Sequence, residues 1–144
     1  MTAEDIKQVT VIGCGMIGPD ISTSLLINGV RVRMVGRNPE SVRRGLANVA
    51  KDLSDLLEAG VVTGEEKETA LGAIETSTDI SSAVGDADMI FEAVYEDLEL
   101  KQEVFGQIDA DCPAHAILCS STSGLSPNEI GAHIGKQERM MVTH

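Results

Sequence analysis

The chain has 144 residues, the length of one domain with a core of its own. Its 23 acidic and 11 basic side chains give a formal net charge of −12, which argues against nucleic acid and anionic membrane surfaces as partners, since both bind basic surfaces. With 42% hydrophobic residues but only one Tyr and two Phe, the core is expected to be aliphatic, which favours a buried parallel sheet over an all-β sandwich.

The first two strands are predicted on either side of a glycine-rich turn and a helix. A β-branched run predicts the first strand at about 8–12. Apolar residues three to four apart then predict a helix that tolerates Pro19 in its first turn and ends at Asn28-Gly29. The second strand follows at 30–35. The apolar positions are Val9, Val11, Ile12, Ile17, Ile21, Leu25, Val30, Val32, Met34 and Val35.

A long helix and a shorter one are predicted next. Asn38 is expected to cap the long helix, with Pro39 in its first position and Gly60 after its end. The run Thr63-Gly64-Glu65-Glu66 has the pattern of a capping box for the short helix, which Gly72 ends and a weak strand at 73–75 follows. The long helix is expected to bury an apolar stripe of Val42, Leu46, Val49, Leu53, Leu56 and Leu57.

The second half continues the alternation of strands and helices. Strands are predicted at 88–94, 116–119 and 140–142, and helices at 96–109 and 127–134. This alternation predicts an α/β fold with a doubly wound, mostly parallel sheet between two layers of helices. The chain has no internal repeat or linker, so a single three-layer αβα domain is expected.

Gly13, Gly15 and Gly18 form a G-x-G-x-x-G turn between the first strand and the first helix. In a Rossmann-type domain the first glycine permits the turn, the second admits a pyrophosphate and the third lets the helix approach the sheet. Together with Met16 and Ile17 at the helix start, these glycines are predicted to bind a dinucleotide through free backbone amides. The alternative is a glycine-rich turn without a ligand.

The end of the second strand reads Val35-Gly36-Arg37-Asn38 and lacks the carboxylate that usually binds the ribose of NAD. Without that acid, Gly36 and Arg37 offer no repulsion to a 2′-phosphate, and the Arg37 guanidinium can pair with it. We therefore predict that NADP is favoured over NAD. The alternative is that Arg37 is a solvated surface residue that at most stacks on adenine.

Hydroxyl side chains from Ser120 to Ser123 follow the fifth strand, at the sheet edge where open α/β sheets bind ligands. Such a cluster is more often turn or capping chemistry than catalysis. His144 follows the last strand and should face the same crevice. We therefore expect Ser123 and His144 to meet near the nicotinamide.

Four segments resemble the NAD-binding domain of the L-3-hydroxyacyl-CoA dehydrogenase family: VIGCGMIG, IFEAVYEDLELKQEVF, CSSTSGLS and RMMVTH. The resemblance covers the whole chain, residues 1–144, and implies an oxidoreductase that moves a hydride between NAD(P) and C3 of a 3-hydroxy acid or acyl derivative. It implies that Glu96 and Lys101 contact the dinucleotide, that Ser123 orients the substrate oxygen and that His144 is catalytic. The alternative for Glu96 and Lys101 is an exposed ion pair at a helix start.

Several positions depart from the family pattern. Gly36 replaces the ribose-binding aspartate, Ser121 replaces the asparagine of the serine loop (where we still expect a cofactor contact), and Tyr95 replaces a proline. Asp52 and Ala59 stand where members acting on CoA esters often carry serine and lysine. The SSTSG loop is similar to the branch acting on free hydroxy acids, such as carnitine or gulonate dehydrogenases.

The family's helical domain, which completes the substrate pocket and the homodimer interface, is absent from these 144 residues. The chain alone is therefore expected to bind dinucleotide with little or no turnover. One alternative is a non-catalytic NAD(P)-binding or sensing module, which needs neither Ser123 nor His144. A second is another β-hydroxyacid dehydrogenase family, whose lysine from a later helix does not explain that pairing.

Cys14, Cys112 and Cys119 show no paired spacing, and the histidines show no ligand-like spacing with them. We therefore expect neither a disulfide framework nor a metal site. The apolar stretches are too short to span a bilayer, and the N-terminus lacks a signal-peptide pattern. A cytoplasmic protein with no membrane partner is expected.

Overall fold

Six strands form one sheet in the computed structural model, which describes residues 2–144. All five pairings are parallel, in the order β3-β2-β1-β4-β5-β6. The chain therefore winds outward from the first strand in both directions, which confirms the predicted doubly wound α/β fold. The strands are β1 (Gln8–Ile12), β2 (Arg31–Val35), β3 (Ile74–Ser77), β4 (Met89–Glu92), β5 (Ile117–Ser120) and β6 (Met140–Val142).

Helices connect the strands and cover both faces of the sheet. Their N-terminal caps agree with the sequence: Asn38 accepts a hydrogen bond from the Ser41 amide and Thr63 accepts one from the Glu66 amide. None of the helices in the described residues is long and apolar enough to cross a membrane. The helices are α1 (Ile17–Ile27), α2 (Pro39–Glu58), α3 (Gly64–Gly72), α4 (Ile80–Val84), α5 (Leu98–Asp111) and α6 (Pro127–Ile130).

Two apolar clusters, one on each face of the sheet, form the core of the three layers. One cluster joins β1 and β2 to α1, α2 and α3 through Val11, Leu26 and Leu53. The other joins β4 and β5 to α4, α5 and α6 through residues such as Phe105 and Ile130. The interior is aliphatic apart from Phe105 and the partly buried Phe91, as the composition predicts.

The stripe predicted on α2 is only partly buried. Val49 and Leu53 have no exposed surface, but Leu46 and Leu57 remain 37% and 36% exposed. The helix is 20 residues long, whereas its partner α1 has 11. The covered face of α2 is therefore narrower than the predicted stripe, and Leu46 and Leu57 lie at its border.

The structure adds one helix in the second half and shortens two of the elements predicted there. Helix α4 was not expected, because ISSAV is too short to show a helical period. The helix predicted at 127–134 ends at Ile130, and Gly131 follows as its C-cap. The strand predicted at 88–94 ends at Glu92, because the Val94 amide turns back to donate to the Glu92 carboxylate.

Candidate functional site

The three glycines between β1 and α1 meet three different surroundings. Gly13 has φ +125°, and a Cβ there would lie 2.3 Å from the Ala93 carbonyl oxygen. A Cβ on Gly18 would lie 1.9 Å from the Gly13 carbonyl oxygen. Helix α1 can therefore pack this close to the turn only because residue 18 has no side chain. Gly15 has nothing within 4 Å of its Cβ position and faces open space. The geometry therefore fits a turn, a ligand approach and a packing contact in that order.

The first turn of α1 begins at this opening. Its N-cap, Met16, makes no side-chain capping bond, and Met16 is 82% exposed. The amides that a helix leaves unsatisfied at its start are thus not capped by a side chain at this position. They lie beside the open face of Gly15, where a phosphate group would meet them.

A cavity of about 680 Å³ opens along the C-terminal ends of β1, β2 and β4. Its volume falls within the range typical of small-molecule and cofactor sites. Three residues predicted to bind cofactor, Gly18, Lys101 and Ser121, do not line it. Those that do are Gly13, Gly15, Met16, Ile17, Gly36, Arg37 and Glu96.

The cavity also contains residues that the sequence did not point to. Arg44 lines it from α2 together with Arg37, and Thr78 lines it after β3. No local sequence pattern marks Arg44, which is an exposed residue of α2 between the buried Ser41 and Gly45. Its place beside the cavity follows from the way α2 packs on the sheet, which is a tertiary property.

Gly36, at the end of β2, is packed too closely to carry a side chain. Its Cβ position lies 2.6 Å from Ser41 Oγ, 2.8 Å from Val42 Cγ2 and 2.9 Å from Cys14 Sγ. The Ser41 hydroxyl is held in the capping box with Asn38, and Cys14 is buried. The close packing of α2 against the glycine loop thus leaves no room at position 36 for the acid that usually binds the ribose.

Ser123 and His144 are brought together by the pairing of β5 and β6. Ser120 and Val142 are register partners, and the Thr143 amide donates to the Ser120 carbonyl. Beyond these strand ends, Ser123 Oγ lies 2.7 Å from His144 Nε2. Both side chains are exposed at the edge of the sheet that holds the cavity.

Glu96 links the cavity to the serine loop, which we define as residues 121–125. One of its carboxylate oxygens accepts hydrogen bonds from the Thr122 hydroxyl at 2.5 Å, the Ser123 amide at 3.0 Å and the Gly124 amide at 3.2 Å. The Thr122 hydroxyl above all, with these amides, lowers the pKa of Glu96 to about 2. Glu96 is therefore a carboxylate at neutral pH that holds the loop bearing Ser123.

Lys101 lies behind Glu96 and has no exposed surface. Its ammonium nitrogen is 2.6 Å from Glu92, which is equally buried, and 3.3 Å from Glu96. The alternative of an ion pair at a helix start is thus present, but only Glu96 is exposed, because α5 turns Lys101 towards β4 with its apolar stripe. Ser121 is half-buried, and its amide donates to the Glu92 carbonyl.

The comparisons with known proteins agree with this geometry. The family model for the NAD-binding domain of 3-hydroxyacyl-CoA dehydrogenase matches residues 8–144. The chain belongs to this family. The predicted resemblance is thereby confirmed, and the chain is a domain of the kind that binds NAD in these oxidoreductases.

Two known proteins illustrate how far the resemblance extends along the chain. A peroxisomal fatty acid β-oxidation multifunctional protein from Oryza sativa is 34% identical over 96% of the chain, which spans 19% of that protein. The L-carnitine dehydrogenase of Mesorhizobium japonicum is 39% identical over 96% of the chain, which spans 37% of that enzyme.

A solved structure shows the same fold. The crystal structure of (S)-3-hydroxybutyryl-CoA dehydrogenase from Ralstonia eutropha has a TM-score of 0.91 and 29% sequence identity, covering 96% of the chain and 49% of that structure. The chain thus spans less than half the length of each of these relatives.

Proposed function

We propose that the chain is the dinucleotide-binding half of a dehydrogenase that moves a hydride between NAD(P) and C3 of a 3-hydroxy acid or acyl derivative. The observation that carries this proposal is the Ser123–His144 contact at the same sheet edge as the cavity beside Gly15. A sensing module would need the cavity but not the contact. When bound, the nicotinamide accepts or supplies the hydride.

The residues of this chain divide the remaining work. His144 acts as the general base that takes the proton of the substrate hydroxyl, since histidine exchanges protons near neutral pH. Ser123 donates a hydrogen bond to the same oxygen and holds it in line. Glu96 stands between the two sites, lining the cavity while it holds the Ser123 amide.

The preferred cofactor under this proposal is NADP. Arg37 and Arg44 both line the cavity close to the end of β2, and position 36 carries no acid that would repel a 2′-phosphate. Guanidinium groups pair with phosphate in bidentate geometry. Two of them at one cavity balance the two negative charges of a 2′-phosphate. The family's usual ligand, as its name states, is NAD, so this preference is a departure of this chain.

For the substrate, the proposal favours a small free hydroxy acid over a CoA ester. Asp52 lies on α2 with a carboxylate oxygen 3.5 Å from Thr23 Oγ1, and Ala59 is the C-cap of that helix, so neither position offers a cation to a phosphate. Acidic surfaces repel the phosphates of CoA. The similarity to an L-carnitine dehydrogenase is consistent with this choice.

The 144-residue chain alone should bind dinucleotide but turn over little substrate. Among residues 2–144, the one ion pair formed by a histidine joins His115 to Asp88, so no carboxylate orients the His144 ring. The complete enzyme is proposed to supply that carboxylate and a helical domain, and to work as a homodimer. Three free thiols are consistent with a reducing compartment, for which we propose the cytoplasm.

The deciding experiment is a calorimetric titration of the chain with NADP and, separately, with NAD. We expect saturable binding of both with tighter binding of NADP. If neither dinucleotide binds, the proposed function is wrong. If NAD binds at least as tightly, the domain assignment stands but the choice of NADP is wrong.

A further inference from the structure

Glu92 on β4 and Lys101 on α5 form an ion pair, and neither side chain has any exposed surface. The Glu92 carboxylate ends the buried face of β4, and Lys101 precedes Val104, Phe105 and Ile108 on the inner face of α5. The removal of two charges from water is unfavourable, and well-packed apolar residues at such a place are often as stable or more so. The contacts that this pair makes with its neighbours are therefore a better explanation for its presence than a gain in stability.

The remaining bonds of the pair reach two loops at the functional edge. The second oxygen of Glu92 accepts the Ser120 hydroxyl at 2.6 Å, at the point where β5 ends and the serine loop begins. Its first oxygen also accepts the Val94 amide at 2.7 Å, which fixes the chain just before Glu96. The ammonium of Lys101 then lies 3.3 Å from Glu96 Oε2.

Glu96 uses its two oxygens for different partners. Oε2 faces the buried ammonium of Lys101, whereas Oε1 accepts the amides of Ser123 and Gly124. The orientation of the carboxylate is thus fixed from inside the protein, and the serine loop is fixed by the carboxylate. Ser123, held in this way, presents its hydroxyl to His144.

We propose that the Glu92–Lys101 pair is a positioning device, which holds Glu96 against the serine loop and so sets the Ser123 hydroxyl relative to His144. Lys101 acts through Glu96, since its own surface is fully covered by protein. The purpose of this device rests on the proposed dehydrogenase function. The geometry it controls is measurable without any cofactor.

The test compares the chain with a double variant, Glu92→Gln with Lys101→Met. The double change removes both charges at similar side-chain size, whereas Lys101→Met alone leaves an unpaired buried carboxylate and is expected to destabilise the fold. The matched control is Lys51→Met, which breaks the exposed pair with Asp55 on α2. Amide hydrogen exchange and the ring signals of the three histidines are followed by NMR.

In the folded double variant, the amides of Ser123 and Gly124 should exchange about tenfold faster, as expected when a charge-assisted bond behind their acceptor is lost. The Leu100 amide, which donates to Asp97 in the adjoining turn, should keep its rate. The His144 ring signal should shift, while those of His115 and His133 stay in place. Lys51→Met should change none of these signals.

Two results would overturn the inference. One is a folded double variant whose Ser123, Gly124 and His144 signals match those of the unchanged chain. The other is a uniform acceleration of exchange that includes Leu100, because the pair would then serve only general stability. Neither readout requires a dinucleotide, so a failure here is distinct from a failure of the titration that tests the proposed function.

Discussion

Ser123 Oγ lies 2.7 Å from His144 Nε2, although the two residues are 21 positions apart and follow different strands. The parallel pairing of β5 with β6 brings their C-terminal ends to one edge, and the register of Ser120 with Val142 aligns the two exits. The contact is therefore a consequence of topology, and it occurs beside the cavity to which the glycine loop opens.

Replacement of His144 by Ala in the complete enzyme should separate catalysis from binding. Turnover should fall by about 10² to 10⁴, the usual contribution of a positioned general base. Dinucleotide affinity measured by calorimetry should not change, because His144 does not line the cavity. His133→Ala, an exposed histidine on another loop, is the control, and undiminished turnover in His144→Ala would favour the sensing module.

The two arginines of the cavity should distinguish the two dinucleotides. Arg37→Gln and Arg44→Gln should each weaken NADP binding by about tenfold, the loss of one charge-assisted phosphate contact, and leave NAD binding unchanged. Arg43→Gln removes an exposed arginine on the same helix that does not line the cavity and should alter neither affinity. Equal losses for both dinucleotides would contradict a 2′-phosphate contact.

The glycines should respond differently to alanine. Gly18→Ala places a Cβ 1.9 Å from a backbone oxygen and should lower the free energy of unfolding by about 1 to 3 kcal/mol or more. Gly15→Ala enters open space, so unfolding should change by less than about 0.5 kcal/mol while dinucleotide binding weakens. Urea unfolding and calorimetry give the two quantities, and unimpaired binding by Gly15→Ala would contradict its place against the pyrophosphate.

Glu96 should make stability depend on pH in the acidic range. Its pKa is lowered from 4.5 to about 2 in the folded chain, chiefly by the Thr122 hydroxyl. A carboxyl with a depressed folded-state pKa stabilises the fold above its unfolded pKa, and this contribution is lost as pH falls from 4.5 towards 2.

The chain should therefore be more stable than Glu96→Gln above about pH 4.5, and the difference should vanish near pH 2. Urea unfolding of both proteins across this range measures it. Glu58→Gln, at the exposed end of α2, should show no comparable trend. A gap between the chain and Glu96→Gln that does not change with pH would refute the role of the charged carboxylate.

The features that are encoded locally could be predicted from the sequence. The glycine spacing, the caps at Asn38 and Thr63, and the alternation of strands and helices each depend on a few neighbouring residues. The Ser123–His144 contact was also accessible, since the ends of parallel strands meet at one edge. Short elements could not be predicted in this way, as α4 shows, because five residues are too few to display a helical period.

The buried pair of Glu92 and Lys101 could not be predicted from the sequence, because charged side chains usually lie on the protein surface. Lys101 stands in register with the apolar stripe of α5, and Glu92 interrupts an otherwise apolar strand, but neither position shows alone that its partner faces it across the core. Only the packing of α5 on β4 reveals the pair. Arg44 was overlooked for a related reason, since the orientation of α2 towards the cavity is a tertiary property.

The crowding around Gly36 constrains how a ribose-binding acid can be introduced into this domain. A side chain introduced there would meet the Ser41 hydroxyl first, and then Val42, a stiff β-branched side chain, and the buried Cys14. The order of substitutions therefore matters: room must be made first, at Ser41, Val42 and Cys14 together, and the acid introduced second. An acid at position 36 is thus reached by a two-step path, and the reverse order passes through a poorly folded intermediate sequence.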